Sequence, residues 1–181
     1  MKIQPTRIAG VLTIEPVTHG DDRGYFLETW RAEAFAAAGL DVTFVQDNQS
    51  SSRRGVLRGL HYQIIQPQGK LVRVISGHVF DVAVDLRRSS LTCGRWVGTE
   101  LSAENHRQLW VPPGCAHGFY VLSDEAEFVY KCSDYYAPEH ERVIRWDDPS
   151  IGIDWPLEPT SITDKDADAP CLDDAEYNFA F

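Results

Sequence analysis

The feature that most constrains this chain is a series of short runs in which apolar and polar residues alternate, separated by turns. In the clearest run, residues 78–86, one row of apolar side chains alternates with a mixed second row: Phe80, Val82, Val84 and Leu86 against Val79, Asp81, Ala83 and Asp85. A repeat of two residues is typical of a β-strand with two unlike faces. Further strands are predicted over residues 95–101, 107–111, 117–122, 126–132 and 141–146. Many short strands at this spacing predict an all-β sandwich or barrel of the jelly-roll type.

The N-terminal third is less regular. Residues 10–16 and 25–30 are predicted strands, and the alanine-rich stretch 31–38, followed by Gly39, is the one clear helix. Residues 42–46 are predicted to form a strand that leads into a polar, turn-forming loop ending at Arg54.

The C-terminal part is rich in Asp, Pro and Thr, and is predicted to be irregular apart from one short helix near residues 163–167. It also carries apolar side chains that could dock onto the barrel: Ile151, Ile153, Trp155, Leu157 and Ile162. A length of 181 residues suits one domain with a real core. We therefore expect residues 1–181 to form a single domain.

The charge balance limits the class of partner. The chain has 17 Lys and Arg against 27 Asp and Glu, a formal net charge of -10. Nucleic acids and anionic membranes need a broad basic face, so neither is expected as a partner. No apolar run is long enough to span a bilayer, and the N-terminus lacks an apolar targeting core. The four cysteines form no CxxC pair, which is typical of free thiols in a reducing cytoplasm.

The stretch 55–63, Gly-Val-Leu-Arg-Gly-Leu-His-Tyr-Gln, places a cation and an imidazole three residues apart, at Arg58 and His61. The surrounding segment concentrates further positive charge, at Arg53, Arg54, Lys70 and Arg73. Positive charge gathered in an acidic chain favours a small anion, and a neutral histidine beside it could move protons near working pH. The structural alternative is that the arginines form a solvated edge and that the histidine is a hydrogen-bonded core residue.

Histidine spacing does not indicate a metal. No two of the six histidines are spaced HxH or HxxxH, although convergence from separate strands stays geometrically possible: His19, His61, His78, His106, His117 and His140. A catalytic metal is therefore not expected.

Three other residues could contribute chemistry, and each has a structural alternative as a packed barrel residue. His117 follows the turn 113–116 and could line a cavity mouth. Asp81 lies on one face of its strand, and a carboxylate on an inner face needs a partner, so we predict that it points into the barrel and contacts His117. Tyr130 could serve as a proton donor, although a strand tyrosine is more often a packing residue.

Taken together, these residues resemble the dTDP-4-dehydrorhamnose 3,5-epimerase family. The similar motifs occur in order from about residue 5 to about residue 172: Asp22-Arg-Gly24 followed by Glu28, Phe44-Val-Gln-Asp-Asn48, the stretch 55–63, Gly69-Lys-Leu-Val-Arg73, residues 80–87, Gln108-Leu-Trp-Val-Pro112, Ala116-His-Gly-Phe119, Tyr130-Lys131 and Tyr135-Tyr136. This ordered set is far more specific than any one motif.

The resemblance implies a cupin-type jelly roll, usually a homodimer, that needs no metal or organic cofactor. It implies epimerisation of dTDP-4-dehydro-6-deoxyglucose at C3 and C5, on the route to dTDP-L-rhamnose. His61 would be the general base and Asp166, rather than the nearby Asp168, its orienting carboxylate. Tyr130 would be the acid on the opposite face of the sugar, and Lys70 would lie near the C4 keto oxygen. The nucleotide-sugar shell would comprise Arg23, Glu28, Gln46, Asn48, Arg58, His117, Glu141 and Lys165, with Tyr136 stacking on thymine.

Two departures and three alternatives accompany the resemblance. Cys93 and Cys115 each stand where the family pattern has phenylalanine, and Cys115 could reshape the cavity rim near His117. Some relatives epimerise only C3 or only C5. A metal-dependent cupin oxygenase is disfavoured by the missing paired histidines. A non-catalytic sugar-binding jelly roll would leave His61, Tyr130 and Asp166 as coincidences.

Overall fold

The computed structural model describes residues 1–180, and within them the chain is built mainly from short strands. The strands are β1 (Lys2–Pro5), β2 (Leu12–Glu15), β3 (Thr18–Asp21), β4 (Gly24–Leu27), β5 (Gln46–Arg53), β6 (Leu57–Gln63), β7 (Lys70–Ser76), β8 (His78–Asp85), β9 (Trp96–Ser102), β10 (Gln108–Val111), β11 (Cys115–Val121), β12 (Glu125–Cys132) and β13 (Glu141–Val143). The helices are α1 (Ala32–Ala37) and α2 (Asp164–Ala167), with 3-10 turns at Pro138–His140 and Leu172–Asp174.

Two antiparallel sheets form the body of the fold. One has the strand order β1-β2-β10-β7-β12-β5 and the other the order β13-β6-β11-β8-β9, while β3 and β4 form a separate hairpin. Neighbouring strands such as β10 and β7 are far apart in sequence, which is the crossover pattern of a jelly roll. The predicted all-β jelly-roll class is therefore confirmed.

The main core lies between the two sheets. It is formed by the inward rows of both, including Val72 and Val74 of β7 and Phe119 of β11, all buried. The rings of Phe119 and Phe128 stack across the sheets with centroids 4.2 Å apart. A stacked aromatic pair contributes about 0.5–1.5 kcal/mol beyond the burial of its area. This packing joins the two sheets through their inward rows.

Each sheet is also covered on its outer face. Helix α1 places Phe35 against Trp110 on the six-stranded sheet. The C-terminal segment covers the five-stranded sheet, with Ile151, Ile153 and Trp155 in one cluster. The tail therefore docks as predicted at these three positions, whereas Leu157 remains 61% exposed.

The first third of the chain differs from the sequence prediction in several places, since strands β1 and β3 were not predicted. Residues 42–45 form no strand, and the predicted polar loop is instead the eight-residue strand β5. Strand β5 pairs with β12 along its whole length, from Gln46 opposite Cys132 to Arg53 opposite Glu125. The pairing of backbone groups, together with cross-strand bonds such as Gln49 Nε2 to Glu127 Oε2 at 2.7 Å, supports a strand with almost no apolar residues. The other predicted strands and both predicted helices are present, with ends shifted by a few residues.

Two turn glycines provide a test of how tightly the strands are joined. Gly77, between β7 and β8, and Gly39, after α1, both have left-handed backbones, with φ of 81° and 84°. A methyl group at Gly77 would overlap the Glu125 carbonyl oxygen and come within 2.9 Å of Ala126 Cα, whereas one at Gly39 meets nothing within 4 Å. We expect Gly39→Ala to lower the free energy of unfolding by about 1–2 kcal/mol through backbone strain alone. Gly77→Ala should lower it by about 2–5 kcal/mol because overpacking adds to that strain.

Urea unfolding of the two variants, followed by circular dichroism, measures this difference. Equal losses of unfolding free energy would contradict the close packing described for the β7–β8 turn.

Candidate active site

A cavity of about 260 Å³ is lined by residues of both sheets. His61 reaches it from β6 of the five-stranded sheet, whereas Lys70 of β7 and Tyr130 of β12 reach it from the six-stranded sheet. The two-residue repeat of a strand explains the positions of Lys70 and Tyr130. Lys70 lies in the same inward-facing row as Val72, and Tyr130 lies in the same inward-facing row as Phe128. The imidazole therefore lies on one wall of the cavity, and the ammonium and the phenol on the other.

His61 is paired with a buried carboxylate. Its Nε2 lies 2.8 Å from Asp166 Oδ1, and the Asp166 side chain is only 3% exposed. Asp166 sits in α2, whose N-cap Thr163 accepts a hydrogen bond from the Asp166 backbone N–H. The predicted contact is present, whereas the rival Asp168 is exposed.

The protonation state of this pair follows from its surroundings. Burial raises the pKa of Asp166, but hydrogen bonds from His61 and from the Gly59 N–H outweigh it and hold the pKa below its usual value. Asp166 is thus ionised at neutral pH, and its carboxylate can only accept hydrogen bonds. Nε2 of a neutral His61 must therefore donate, which leaves the lone pair on Nδ1. Nδ1 is the nitrogen that can take up a proton.

A second histidine and carboxylate pair lies deeper. His117 Nε2 is 2.9 Å from Asp81 Oδ2, and Asp81 is fully buried, so the predicted contact between these residues is confirmed. Burial raises the pKa of Asp81, which His117 and Lys70 only partly offset. The other inward carboxylate of β8, Asp85, is paired with Arg87, whose Nε lies 2.7 Å from Asp85 Oδ1.

Lys70 is the charged group of the cavity that is least compensated by neighbouring groups. No described residue forms a hydrogen bond or an ion pair with its ammonium group among the contacts of residues 1–180. Burial lowers the pKa of Lys70, while Cys132, Glu141 and Asp81 act in the opposite direction. An ammonium group inside a cavity with free donors is suited to bind an oxygen acceptor on a ligand.

Tyr130 is suited to donate a proton. Its ring lies beside Phe128, with centroids 6.0 Å apart. Burial raises the pKa of Tyr130, so its phenol stays protonated at neutral pH. It faces the cavity from the wall opposite His61, which places a proton donor and a proton acceptor on two sides of one space.

The rim of the cavity is a connected polar network. Glu141 accepts hydrogen bonds from Tyr136 Oη at 3.2 Å and from Lys165 Nζ. The Tyr136 backbone N–H donates to Gln46 Oε1 at 2.8 Å, and Gln46 Nε2 donates to Asn48 Oδ1 at 3.0 Å. The structure thus brings together five of the predicted substrate-binding residues. The Tyr136 side of this rim is open, since that residue is 51% exposed.

Other predicted residues are not brought to this cavity within one chain. Arg23 lies in the β3–β4 turn and bonds to Asp21, and Glu28 pairs with Arg31 at 2.7 Å. Neither lines the cavity. Arg58 is exposed on β6 and donates from Nε to Ser52 Oγ at 3.0 Å.

The predicted concentration of cations is also divided by the fold. Lys70 and Arg73 are three residues apart on β7, an odd spacing that puts them on opposite faces. Arg73 lines a separate cavity of about 340 Å³ on the outer face, beside Thr29 and Trp30. Arg54 points to solvent and pairs with Asp124. The prediction that these cations form a single anion site is therefore wrong for Arg54 and Arg73.

Two glutamines of the site were not singled out by sequence reasoning. Gln63 and Gln68 both line the cavity. Gln63 Nε2 donates to the Gln66 carbonyl at 2.7 Å, and Gln68 Nε2 donates to the Asp134 carbonyl at 2.9 Å. Gln63 is two residues beyond His61 in the same motif, which is the signal that could have indicated it.

Within residues 1–180, no three His, Cys, Asp or Glu side chains are grouped so as to hold a metal ion. None of the helices described there has the length and apolar character needed to cross a membrane.

The fold and the site together define a jelly-roll enzyme of the cupin type that moves protons, because a base and an acid face one ligand-sized space from opposite walls.

Comparison with known proteins identifies the family. Residues 5–174 match the family model described as dTDP-4-dehydrorhamnose 3,5-epimerase. A protein of that name from Pseudomonas aeruginosa is 57% identical over 178 residues, covering 97% of this chain and 98% of the relative. The chain belongs to the dTDP-4-dehydrorhamnose 3,5-epimerase family.

Solved structures agree. The Legionella pneumophila dTDP-6-deoxy-D-glucose-3,5-epimerase, in complex with dTDP-4-keto-L-rhamnose, superposes with a TM-score of 0.92 at 54% identity, covering 95% of this chain and 93% of that one. A 3'-monoepimerase from Streptomyces bikiniensis, in complex with dTDP-quinovose, superposes with a TM-score of 0.87 at 40% identity, covering 93% of this chain and 87% of that one.

The tautomer of His61 is directly measurable. In the wild-type protein we expect neutral His61 to carry its proton on Nε2, because ionised Asp166 can only accept. Asp166→Asn should allow both tautomers, since an amide can donate as well as accept. Long-range ¹⁵N–¹H correlation spectra of the ring distinguish the two nitrogens. Asp168→Asn, on the same helix end, is the matched control and should leave the spectrum unchanged; an Nδ1-protonated ring in the wild type would contradict the assignment.

Proposed function

We propose that the protein converts dTDP-4-dehydro-6-deoxy-D-glucose to dTDP-4-dehydro-L-rhamnose by epimerisation at C3 and C5, in dTDP-L-rhamnose biosynthesis. Family membership supports the reaction, and one observation carries the residue assignment. His61, oriented by Asp166 at 2.8 Å, and Tyr130 occupy opposite walls of the same cavity. Inversion at carbon needs a base on one face of the sugar and an acid on the other.

The first step is removal of a proton next to the C4 ketone. His61 Nδ1 takes the proton from C3 or C5, and the electron pair of the broken C–H bond moves onto the C4 oxygen as an enolate. Lys70 is the group that stabilises this oxygen, because its ammonium has free donors and lines the cavity. Asp166 stabilises the imidazolium that forms.

The second step returns a proton to the opposite face. Tyr130 donates its phenolic proton to the enolate carbon, so the carbon is inverted while the C4 carbonyl is restored. The phenol is then reprotonated, and the imidazolium loses its proton, by exchange with solvent. The raised pKa of Tyr130 favours rapid recovery of the protonated phenol after each transfer. With that exchange, the protons and electron pairs of the two steps balance.

The residues at the rim of the cavity are assigned to binding the nucleotide part of the substrate. Tyr136 is placed to stack on thymine, because its ring is exposed next to the cavity. Arg58 is assigned to the diphosphate, for which a guanidinium fork is suited. The remaining residues of the shell, which would contact the sugar and nucleoside, are Gln46, Asn48, His117, Glu141 and Lys165.

The proposed assembly is a homodimer in which the β3–β4 hairpin of one subunit reaches the other subunit's site. The hairpin carries exposed apolar side chains, with Tyr25 63% and Phe26 70% exposed. Large apolar residues on a projecting element are typical of an interface. The arrangement would also bring Arg23 and Glu28 to a cavity that they do not reach within one chain.

The outer face of the six-stranded sheet is consistent with such an interface. Trp30 Nε1 is buried there without a hydrogen-bond partner among residues 1–180, next to the cavity that Arg73 lines.

We also propose a cytoplasmic location, which the four unpaired thiols support.

A mono-epimerase that acts at only C3 or only C5 is the alternative, since one of the superposable structures is a 3'-monoepimerase. Incubation with dTDP-4-dehydro-6-deoxyglucose in deuterated water separates the two. Deuterium at both carbons of the product supports the proposed reaction, and deuterium at one carbon supports the alternative.

The roles of His61 and Tyr130 predict different exchange behaviour. His61→Asn should abolish both product and solvent exchange at C3 and C5, because no enolate forms. Tyr130→Phe should lose product by roughly 10²–10⁴-fold. It should retain exchange at a position where His61 both removes and returns the proton. Nuclear magnetic resonance of the substrate in deuterated water measures both quantities.

The controls are His78→Asn and Tyr135→Phe, which replace the same residue types outside the proposed catalytic set. Both should keep product formation and exchange. Complete loss of exchange in folded Tyr130→Phe, equal to that in His61→Asn, would show that the assigned roles are wrong.

Mixing two inactive variants tests the shared site. If Arg23 acts on the partner's cavity, a heterodimer of Arg23→Ala and His61→Asn has one site with wild-type His61 and wild-type Arg23. Random reassembly should therefore recover about a quarter of wild-type activity. If Arg23 acts within its own subunit, both sites of the heterodimer are damaged and activity is not recovered. A monomer in light scattering at micromolar concentration would contradict the dimer itself.

A further inference from the structure

The end of the chain lies outside the family match but is firmly attached to the barrel. The family model covers residues 5–174, and we call residues 175–180 the C-terminal strap. Tyr62 Oη donates to the Glu176 carbonyl at 2.8 Å. Arg88 donates from its backbone N–H to the Phe179 carbonyl at 2.8 Å and from Nη2 to the Tyr177 carbonyl at 2.7 Å. These bonds hold the strap in one place.

Phe179 is the buried residue of the strap. It is 2% exposed, and its ring meets Tyr62 edge-on, with centroids 6.1 Å apart at 68°. Tyr62 directly follows His61 on β6, so the two side chains leave opposite faces of that strand. Phe179 thus packs against the back of the strand segment that carries the proposed base.

Phe179 also lines a small void next to the cavity. A residual void of about 10 Å³ is lined by His61, Lys70, Cys115 and Phe179 among others. A volume of that size is at the lower limit for one water molecule. Phe179 thus borders the same small space as His61 and Lys70.

We propose that Phe179 is a positioning residue for the epimerase reaction, sealing the rear of the active site so that His61 stays in place and water does not reach Lys70. This inference rests on the proposed function. A misplaced base loses the alignment that proton abstraction requires. Water that enters behind Lys70 competes with the enolate oxygen for its donors. The strap thus acts on the chemical step, whereas binding of the nucleotide is assigned to the residues of the rim.

The test compares Phe179→Ala with Phe179→Leu and Tyr177→Ala in the full-length chain. Tyr177 lies in the same strap and stacks under the Arg88 guanidinium at 4.9 Å, but it does not line the void. We expect Phe179→Ala to lower kcat at least about tenfold while KM for the dTDP-sugar changes less than about threefold. Phe179→Leu should restore most of kcat, and Tyr177→Ala should keep it.

Exchange of the C3 and C5 protons with solvent should slow in proportion to kcat in Phe179→Ala, since the loss is in the chemical step. All assays are run below the unfolding temperature of each variant. If Phe179→Ala does not fold, Phe179→Leu and Phe179→Val replace it, and kcat should decrease as side-chain volume decreases.

Wild-type kcat in folded Phe179→Ala would overturn the inference. So would equal loss of kcat in Phe179→Ala and Tyr177→Ala, because that pattern indicates general loosening of the strap. A wild-type protein that neither forms product nor exchanges protons would instead contradict the proposed function, which separates the two failures.

Discussion

The hydrogen bond between His61 and Asp166 joins residues 105 positions apart in the chain, and the active site depends on it. One partner belongs to a central barrel strand and the other to a four-residue helix in the irregular C-terminal segment. A helix this short has little stability of its own. It is held because its carboxylate is buried and bonded, and burial without these bonds would cost several kcal/mol. The bond therefore orients the imidazole and fixes the C-terminal segment at the same time.

Three of the four buried carboxylates in the described residues are satisfied by different sets of partners. Asp81 has an imidazole, Asp85 has a guanidinium and two hydroxyls, and Asp166 has an imidazole and a backbone N–H. Lys70 is the exception, because no described side chain pairs with it. Leaving an ammonium unpaired in a partly buried position is costly. A substrate oxygen as the missing partner would offset that cost, which is the reason Lys70 is proposed to act at the C4 oxygen.

The net charge of -10 hides a local organisation that suits an anionic nucleotide sugar. Cations reach the two ends of the cavity, with Lys70 inside and Lys165 at the rim. Carboxylates that could repel the substrate are engaged, since Glu141 accepts from both Tyr136 and Lys165. Local arrangement of charge, not the total, determines what the cavity can hold.

The sequence by itself determined the fold class, because a two-residue repeat can bury one face only as a strand. It also determined the rows of residues that share a face and led to the predicted pairing of Asp81 with His117, whereas the pairing of Asp166 with His61 was predicted only from the family resemblance. Tertiary structure decided the rest. The polar segment of β5 is a strand only because β12 offers it a full ladder of backbone partners, a long-range property that local composition does not carry. Lys70 and Arg73 are separated by the sheet, Arg23 and Glu28 stay away from the cavity of their own chain, and Phe179 reaches the back of β6 through contacts distant in sequence. Residues near in sequence can lie on opposite faces of a sheet, and a site is formed by residues that only packing brings together.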